Sequence, residues 1–505
     1  MPLTRDELNA SLWSAADILR GLIDSADYKL YLFGFLFLKR LSDAFDQEAE
    51  RILRTHRSEG QSEEAAIRHA WEDPDQHAFF VPRSARWIGM ANWNRDIGRK
   101  LNRASRDLER HNPILRDALA SIDFDDARRL GERAQRDATL KRLITHFSAL
   151  NLRNDNLTEP DALGGAYEYL IERFADDAGK KGGEFYTPRE VANLLVRLIK
   201  PREGMSIYDP TAGSGGMLIA CARHIQDAGG NERHTTLCGQ EKNVGAWAIC
   251  RLNLLLHGLP DADIRRGDVL RDPKHTSDGE LMTFDRVIAN PPFSLKNWGR
   301  DDCSADPFRR FSPEIAPRAK GDFAFLQHML ASTNERGVIG AVLPNGMLFR
   351  GGVEARIRRD LIERDLFEAV IGLPANLFFG TAIPACIVTL NRAKTKARRG
   401  RILFIDAESD EETRAPRRRL DELSIQRIAE TFDSFGSNEG KSRAVTLEEV
   451  RENGHNLNLA RYLAPERDPA SIDLKQASER LIRLQVERDA AERELNKELK
   501  ALGLL

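Results

Sequence analysis

The sequence predicts an α/β protein with a mostly parallel sheet, an all-α domain ahead of it and a helix behind it. Three observations carry this. Between about residues 160 and 410, short apolar stretches alternate with helical patterns, the signature of strand–helix–strand units. Residues 1 to 155 show helical periodicity and almost no strand signal. The stretch 470–505 spaces Leu474, Leu481, Leu484, Ala491 and Leu495 near heptad intervals.

In chain order, the helical domain is marked by Leu8, Leu12 and Ile18-Leu19, by the run Tyr31 to Leu41, and by Leu101, Leu108, Leu115 and Leu119. Its later part is rich in arginine (Arg95, Arg99, Arg103, Arg106, Arg110, Arg116, Arg128, Arg129, Arg133, Arg136). Such a run is more often a solvated helix face than a phosphate-binding surface. The expected strands are "MSIYDP", "TTLCGQE", "ADIRRGD", "FDRVIANPP", "GVIGAVLPN", "FEAVIGLP", "ACIVTLNR" and "RILFIDA", with helices at Asn243 to His257 and Phe323 to Asn334 between them. A charged linker and a mixed segment occupy 411–469. The terminal helix carries Arg488 at an inner position, so it serves equally as an ordinary amphipathic helix or as a partner-facing one.

The chain has 505 residues, 30% of them charged, with a net charge of −2. Nucleic-acid affinity must therefore come from local basic patches or from a partner. No apolar run is long enough to cross a bilayer. The five cysteines form neither a Cys-x-x-Cys pair nor a disulfide framework, and no metal site is expected. A cytoplasmic location is the expectation.

In sheets of this kind ligands bind beyond the carboxyl ends of the strands. Asp209, Glu241, Asp268 and Asn290 all stand there. "SIYDPTAGSGGMLIACARHI" reads as strand, glycine turn (Gly213, Gly215, Gly216) and helix. The glycines let backbone approach a ligand, and the helix start offers free N–H groups. An acid at Asp209 repels pyrophosphate and suits an ammonium group. Glu241 suits two ribose hydroxyls, and Asp268 an adenine amino group or ring edge. A nucleoside with an amino-acid tail and no phosphate is S-adenosylmethionine. Each acid alone is more often a helix cap. In "GGEFYTPRE", Thr187, Pro188 and Glu190 fit a capping box, which leaves Phe185-Tyr186 and the glycine pair unexplained.

"EFYTP", "DPTAGSGG" and "ANPPF", in that order, resemble the amino-methyltransferases that act on DNA bases. More closely the chain resembles the modification (M) subunit of type I restriction–modification systems, through "VLPNGMLFRGG", "GLPANLFFGTAIPACIVTLNR" and "HNLNLARYL". The resemblance implies a Rossmann-like S-adenosylmethionine-dependent methyltransferase sheet. It implies that Glu184, Phe185, Tyr186, Thr187, Pro188 and Arg189 line the cofactor site with Asp209, Thr211, Gly213, Ser214, Gly215, Gly216, Glu241 and Asp268. Asn290, Pro291, Pro292 and Phe293 are then the catalytic residues. The amine of a base is a poor nucleophile because its lone pair is delocalised into the ring. Asn290 Oδ1 and the Pro291 carbonyl can each accept one of its N–H bonds and aim the lone pair at the methyl group. Phe293 offers a stacking face, and a target in a duplex must be flipped out. Asn with Phe at these positions goes in the family with adenine N6, although cytosine N4 would fit the same acceptors. Methylation of RNA or protein glutamine and a non-catalytic scaffold are the alternatives.

No Gly-x-x-x-x-Gly-Lys-[Ser/Thr] loop is present, so no ATP-driven motor is expected in this chain. Nor is there a segment sized to read the major groove. The basic residues Lys296, Arg300, Arg309, Arg310, Arg318 and Lys320 could hold phosphate, which positions DNA without specifying sequence. The expected partners are double-stranded DNA, a specificity (S) subunit flanked by two copies of this chain, and a restriction (R) subunit carrying motor and nuclease.

Overall fold

A computed structural model describes residues 2–20, 25–157, 162–177, 187–375, 377–378, 384–407 and 420–463, with scattered positions between 478 and 496. The N-terminal part is helical. The helix Arg5–Leu19 opens with a capping box between Thr4 and Glu7, and the 34-residue helix Ser25–Ser58 runs through the centre. Tyr31 to Leu38 on that helix are all buried, and Gly34 among them has no room for a side chain: an added Cβ would sit 2.9 Å from the Phe124 ring. Phe35 stacks on Phe147 at 5.8 Å and meets Phe124 edge-on at 5.4 Å. Each such ring stabilises the fold by about 1.5–3 kcal/mol through burial. The same core takes in Ile249 and Leu252 from the helix Val244–Leu256, so the helical region and the sheet region share packed surface.

Most of the arginine-rich run lies on the solvated face, paired with the chain's own acids: Arg99 with Asp125, Arg103 and Arg110 with Asp107, Arg129 with Asp126, Arg133 with Asp96. Arg136 is the buried member, held by Asp125 at 2.7 Å.

The strands are β1 (Ser206–Asp209), β2 (Thr236–Glu241), β3 (Asp263–Arg266), the small ribbon β4 (Thr276–Ser277) and β5 (Glu280–Leu281), β6 (Phe284–Ala289), β7 (Thr333–Pro344), β8 (Phe367–Gly372), β9 (Ala385–Asn391), β10 (Arg401–Asp406) and β11 (Ser442–Thr446). Nine form one sheet in the order β11-β10-β8-β9-β7-β6-β1-β2-β3. All eight expected strands are in it. β9 runs antiparallel to both neighbours, and β11, unforeseen, adds antiparallel to β10. The second expected helix is Asp322–Ala331, shorter than anticipated because Thr333 already begins β7. On β6, Val287 and Ala289 face one core and Ile288 the other, the alternation of a strand covered on both faces. β1, β2, β3, β6 and β7 are parallel, so Asp209, Glu241, Asp268 and Asn290 all emerge at one edge.

Of the terminal helix, Ser478, Arg483–Gln485, Glu487, Arg488, Ala490, Glu492, Leu495 and Asn496 are described, and all are helical. Leu484 and Leu495 are exposed in it. Leu474, Leu481 and Ala491 lie outside the described residues.

Candidate active site

Between β1 and the helix Gly216–Asp227 the chain turns at Gly213 and Gly215, with φ of +54° and +81°, the left-handed region that glycine enters without strain. A Cβ on Gly215 would also lie 2.9 Å from Cys250 Sγ. Two acids brace this turn. Asp209 Oδ1 accepts the Thr211 N–H at 2.9 Å. Glu241 Oε2 accepts the Gly213 N–H at 3.0 Å and its Oε1 accepts the Asn243 N–H at 2.7 Å. Ser214 is fixed through its carbonyl by Asn253 at 2.9 Å. The helix itself opens with no side-chain cap.

Asp209 is fully buried, and among the described residues its Oδ2 has no hydrogen-bond partner. Burial, with the Glu241 charge adding to it, pushes its carboxyl up to about 8. Burial raises Glu241 as well. An orphaned buried acceptor marks a place where a donor is missing. Asp268 is engaged differently: Oδ1 accepts the Leu270 N–H at 3.1 Å and Oδ2 pairs with Lys242 at 2.9 Å.

Asn290 follows β6 at once. Its Nδ2 donates to Thr187 Oγ1 at 3.0 Å, and among the described residues nothing bonds its Oδ1. The capping box anticipated at Thr187 does not form: the helix starts at Arg189 with Pro188 as N-cap and no side-chain cap bond. The hydroxyl that would have capped it serves Asn290 instead. Pro291 is buried, and Phe293 meets Phe378 edge-on at 5.7 Å and 72°.

Glu184, Phe185 and Tyr186 lie outside the described residues. Arg189 is exposed and lines a cleft of about 890 Å³ with Arg197, Lys200, Arg202, His224 and Asp433; no strand-end acid lines that cleft. The basic set after Asn290 is only partly available. Arg310 is buried, ion-paired to Asp306 at 2.7 Å and donating to the Val269 and Leu270 carbonyls, so it does not reach phosphate. Arg318 pairs with Asp301 and Arg300 donates to the Ala316 carbonyl. Lys296, Arg309 and Lys320 make no such bond among the described residues. Sequence reasoning also missed Ser294, Asp322, Arg350 and Phe378, which surround the Asn290 turn.

Away from the strand ends, ligand atoms of Cys238, Asp263 and His275 lie within 4.8 Å of one another. Arg265 already grips the Asp263 carboxylate at 2.9 and 2.7 Å, and burial pushes the Cys238 thiol up to about 12. Both disfavour a metal there.

Residues 158–470 match the family described as N-6 DNA Methylase, and residues 8–147 match the HsdM N-terminal domain. The type I restriction enzyme MjaVII methylase subunit of Methanocaldococcus jannaschii is 33% identical over 499 residues, 94% of this chain and 81% of that one. The type I restriction enzyme HindI methylase subunit of Haemophilus influenzae is 30% identical over 451 residues, 83% of this chain and 98% of that one. The crystal structure of a type I restriction–modification methyltransferase subunit from Streptococcus thermophilus superposes with a TM-score of 0.79 at 30% identity, covering 91% of this chain and 100% of that one. A strand-end glycine turn beside Asn-Pro-Pro-Phe on a mostly parallel sheet defines an amino-methyltransferase. The chain belongs to the N-6 DNA methylase family, as a methylase (modification) subunit of the type I restriction–modification kind.

Proposed function

We propose that the chain uses S-adenosylmethionine to methylate adenine N6 at a double-stranded DNA site chosen by a separate specificity subunit. The observation that carries this is Asn290 at the end of β6, its Nδ2 engaged by Thr187 and its Oδ1 left open, on the same edge as the acid-braced glycine turn. S-adenosylmethionine supplies, when bound, a methyl group on a positively charged sulfur. The residues present suit it. The orphaned Asp209 Oδ2 is an acceptor for its ammonium, and the uncapped N–H groups at Gly216 are donors for its carboxylate. Each Glu241 oxygen keeps one lone pair for a ribose hydroxyl. Thr211, Ser214, Asp268 and the segment Glu184 to Pro188 complete the proposed lining.

At the acceptor side, Asn290 Oδ1 and the Pro291 carbonyl take the two N–H bonds of a flipped-out adenine, and Phe293 stacks on its ring. The gain comes from positioning and from acceptors fixed before the reaction starts. An amide is no base at neutral pH, so the proton that nitrogen loses leaves to water.

The same proposal covers the assembly. Residues 1–155 form the helical domain, 160–410 the methyltransferase domain with β11 beyond it, 411–469 otherwise a linker and mixed segment, and 470–505 a helix that docks the specificity subunit. Two copies flank one such subunit, a restriction subunit is a further partner, and the complex works in the cytoplasm. The test is to map methylated bases on genomic DNA with the chain alone and with its specificity subunit. N6-methyladenine at one defined sequence only with the partner is expected. Methylation of cytosine, of RNA or of protein, or site-specific methylation by the chain alone, would overturn it.

A further inference from the structure

The rings of Pro291 and Pro292 fix φ at those two residues, so the looser joint of the Asn290 turn lies at Phe293 and Ser294. Ser294 has φ of +52°, a conformation that a residue with a Cβ holds only when its surroundings impose it. Four bonds impose it. Asp322 Oδ1 accepts the Ser294 N–H at 2.7 Å and its Oδ2 the Ser294 O–H at 3.4 Å. Arg350 Nη1 donates to Asp322 Oδ2 at 2.8 Å, and Arg350 Nη2 donates to Ser294 Oγ at 3.2 Å. The side chain of Asp322 is 1% exposed and that of Arg350 19%, so the carboxylate has little water and depends on these donors. Arg350 is itself steadied: Nη1 also reaches Glu354 at 3.3 Å, and its carbonyl accepts from Arg358 at 2.9 Å.

We infer that Asp322 and Arg350 are positioning residues that lock the Phe293–Ser294 peptide, and so hold the Pro291 carbonyl and the Phe293 ring where the target base needs them. The inference rests on the methyl-transfer chemistry proposed above. Neither residue touches donor or acceptor; they act through the loop. The three parts come from separate elements: Ser294 after β6, Asp322 at the start of its helix, and Arg350 in the segment after β7. Nothing in the glycine turn or its bracing acids involves them. Their loss should therefore slow transfer and spare cofactor binding, a separation that general weakening of the fold would not produce.

The test uses the chain in complex with its specificity subunit and compares Arg350→Ala, Arg350→Lys, Asp322→Ala and the double variant, with Asn290→Ala as reference. Single-turnover methyl transfer should slow about ten- to a hundredfold in Arg350→Ala, the loss expected for charge-assisted bonds to a buried group. S-adenosylmethionine and DNA affinities should stay within about twofold of wild type, since no bond to either is removed. Free guanidinium ion at low, non-denaturing concentration should restore part of the rate to Arg350→Ala and none to Asn290→Ala. The double variant should be no slower than the slower single one, because the pair acts as a unit. Should Asp322→Ala fail to fold, guanidinium rescue of Arg350→Ala decides alone. A wild-type transfer rate in Arg350→Ala, or a slow rate with equally weakened cofactor binding and no rescue, overturns the inference. A wild-type rate in Asn290→Ala would instead overturn the chemistry on which it rests.

Discussion

The two halves of the strand-end edge are built differently. Beside β1 and β2 the glycine turn gets its shape from backbone freedom at Gly213 and Gly215, and its acids bond main-chain N–H groups two and 28 residues away. Beside β6 the turn holds two prolines and a strained serine, and its props come from 103, 28 and 56 residues away. The first bends where glycine allows it, with Glu241 bracing it from the neighbouring strand; the second bends at a residue with a side chain and is held there by Asp322 and Arg350. Damage to the first should therefore appear as lost binding, and damage to the second as lost rate.

The largest expected effect sharpens the binding half. In the ligand-free fold Asp209 is raised from 3.8 to about 8, so it is protonated at neutral pH. An ammonium-bearing ligand that meets its carboxylate must drive a proton off. S-adenosylmethionine affinity should then rise roughly tenfold per pH unit up to about 8, with proton release near neutral pH seen by calorimetry in two buffers. Asp209→Asn should abolish both trends, and their absence in the unaltered chain would take Asp209 out of the site. The sign for stability is the reverse. A raised folded-state pKa is a contribution fully present below about pH 4 and lost as pH rises through about 8.

Glu241→Ala removes the acceptor of the Gly213 N–H and leaves that donor buried. Cofactor affinity should fall about tenfold or more, with the transfer rate at saturation nearly unchanged. On the rate half, Thr187→Val takes away the anchor of the Asn290 amide while keeping its bulk. Transfer should slow about two- to tenfold, the worth of one neutral hydrogen bond, and Thr187→Ser should be nearly wild type; equal rates in both variants would strip Thr187 of a role. The smallest effect belongs to Lys242→Ala. Lys242 is 68% exposed where it pairs with Asp268, so cofactor affinity should change by less than about fivefold.

The difference between the halves also explains what the sequence could tell. Strands β1 to β3 and the glycine turn are written in consecutive residues. So is the end of β6, where Asn290 is followed by two prolines. The direction of β9 is not, because an apolar run reads the same either way. β11 was invisible because Ser-Arg-Ala-Val-Thr is short and half-exposed, as edge strands often are. Thr187 and Glu190 carry the spacing of a capping box, and only the fold reveals that the hydroxyl goes to a residue 103 positions on. Asp322 reads as an ordinary acid at a helix start, and Arg350 as one more surface cation. Arg310 counts as positive charge in sequence until Asp306, four residues before it, closes on it in the interior.

The central claim is that the edge divides into a half that binds and a half that drives transfer. Asn290→Ala and Glu241→Ala in the assembled complex test it, each measured for cofactor affinity and for single-turnover methyl transfer at saturating cofactor. Asn290→Ala should transfer on the order of a hundredfold more slowly, as when a fixed polar partner of the transition state is removed, while binding cofactor like wild type. Glu241→Ala should show the opposite pattern. Wild-type transfer by Asn290→Ala, or parallel losses of rate and affinity in both variants, would contradict the account.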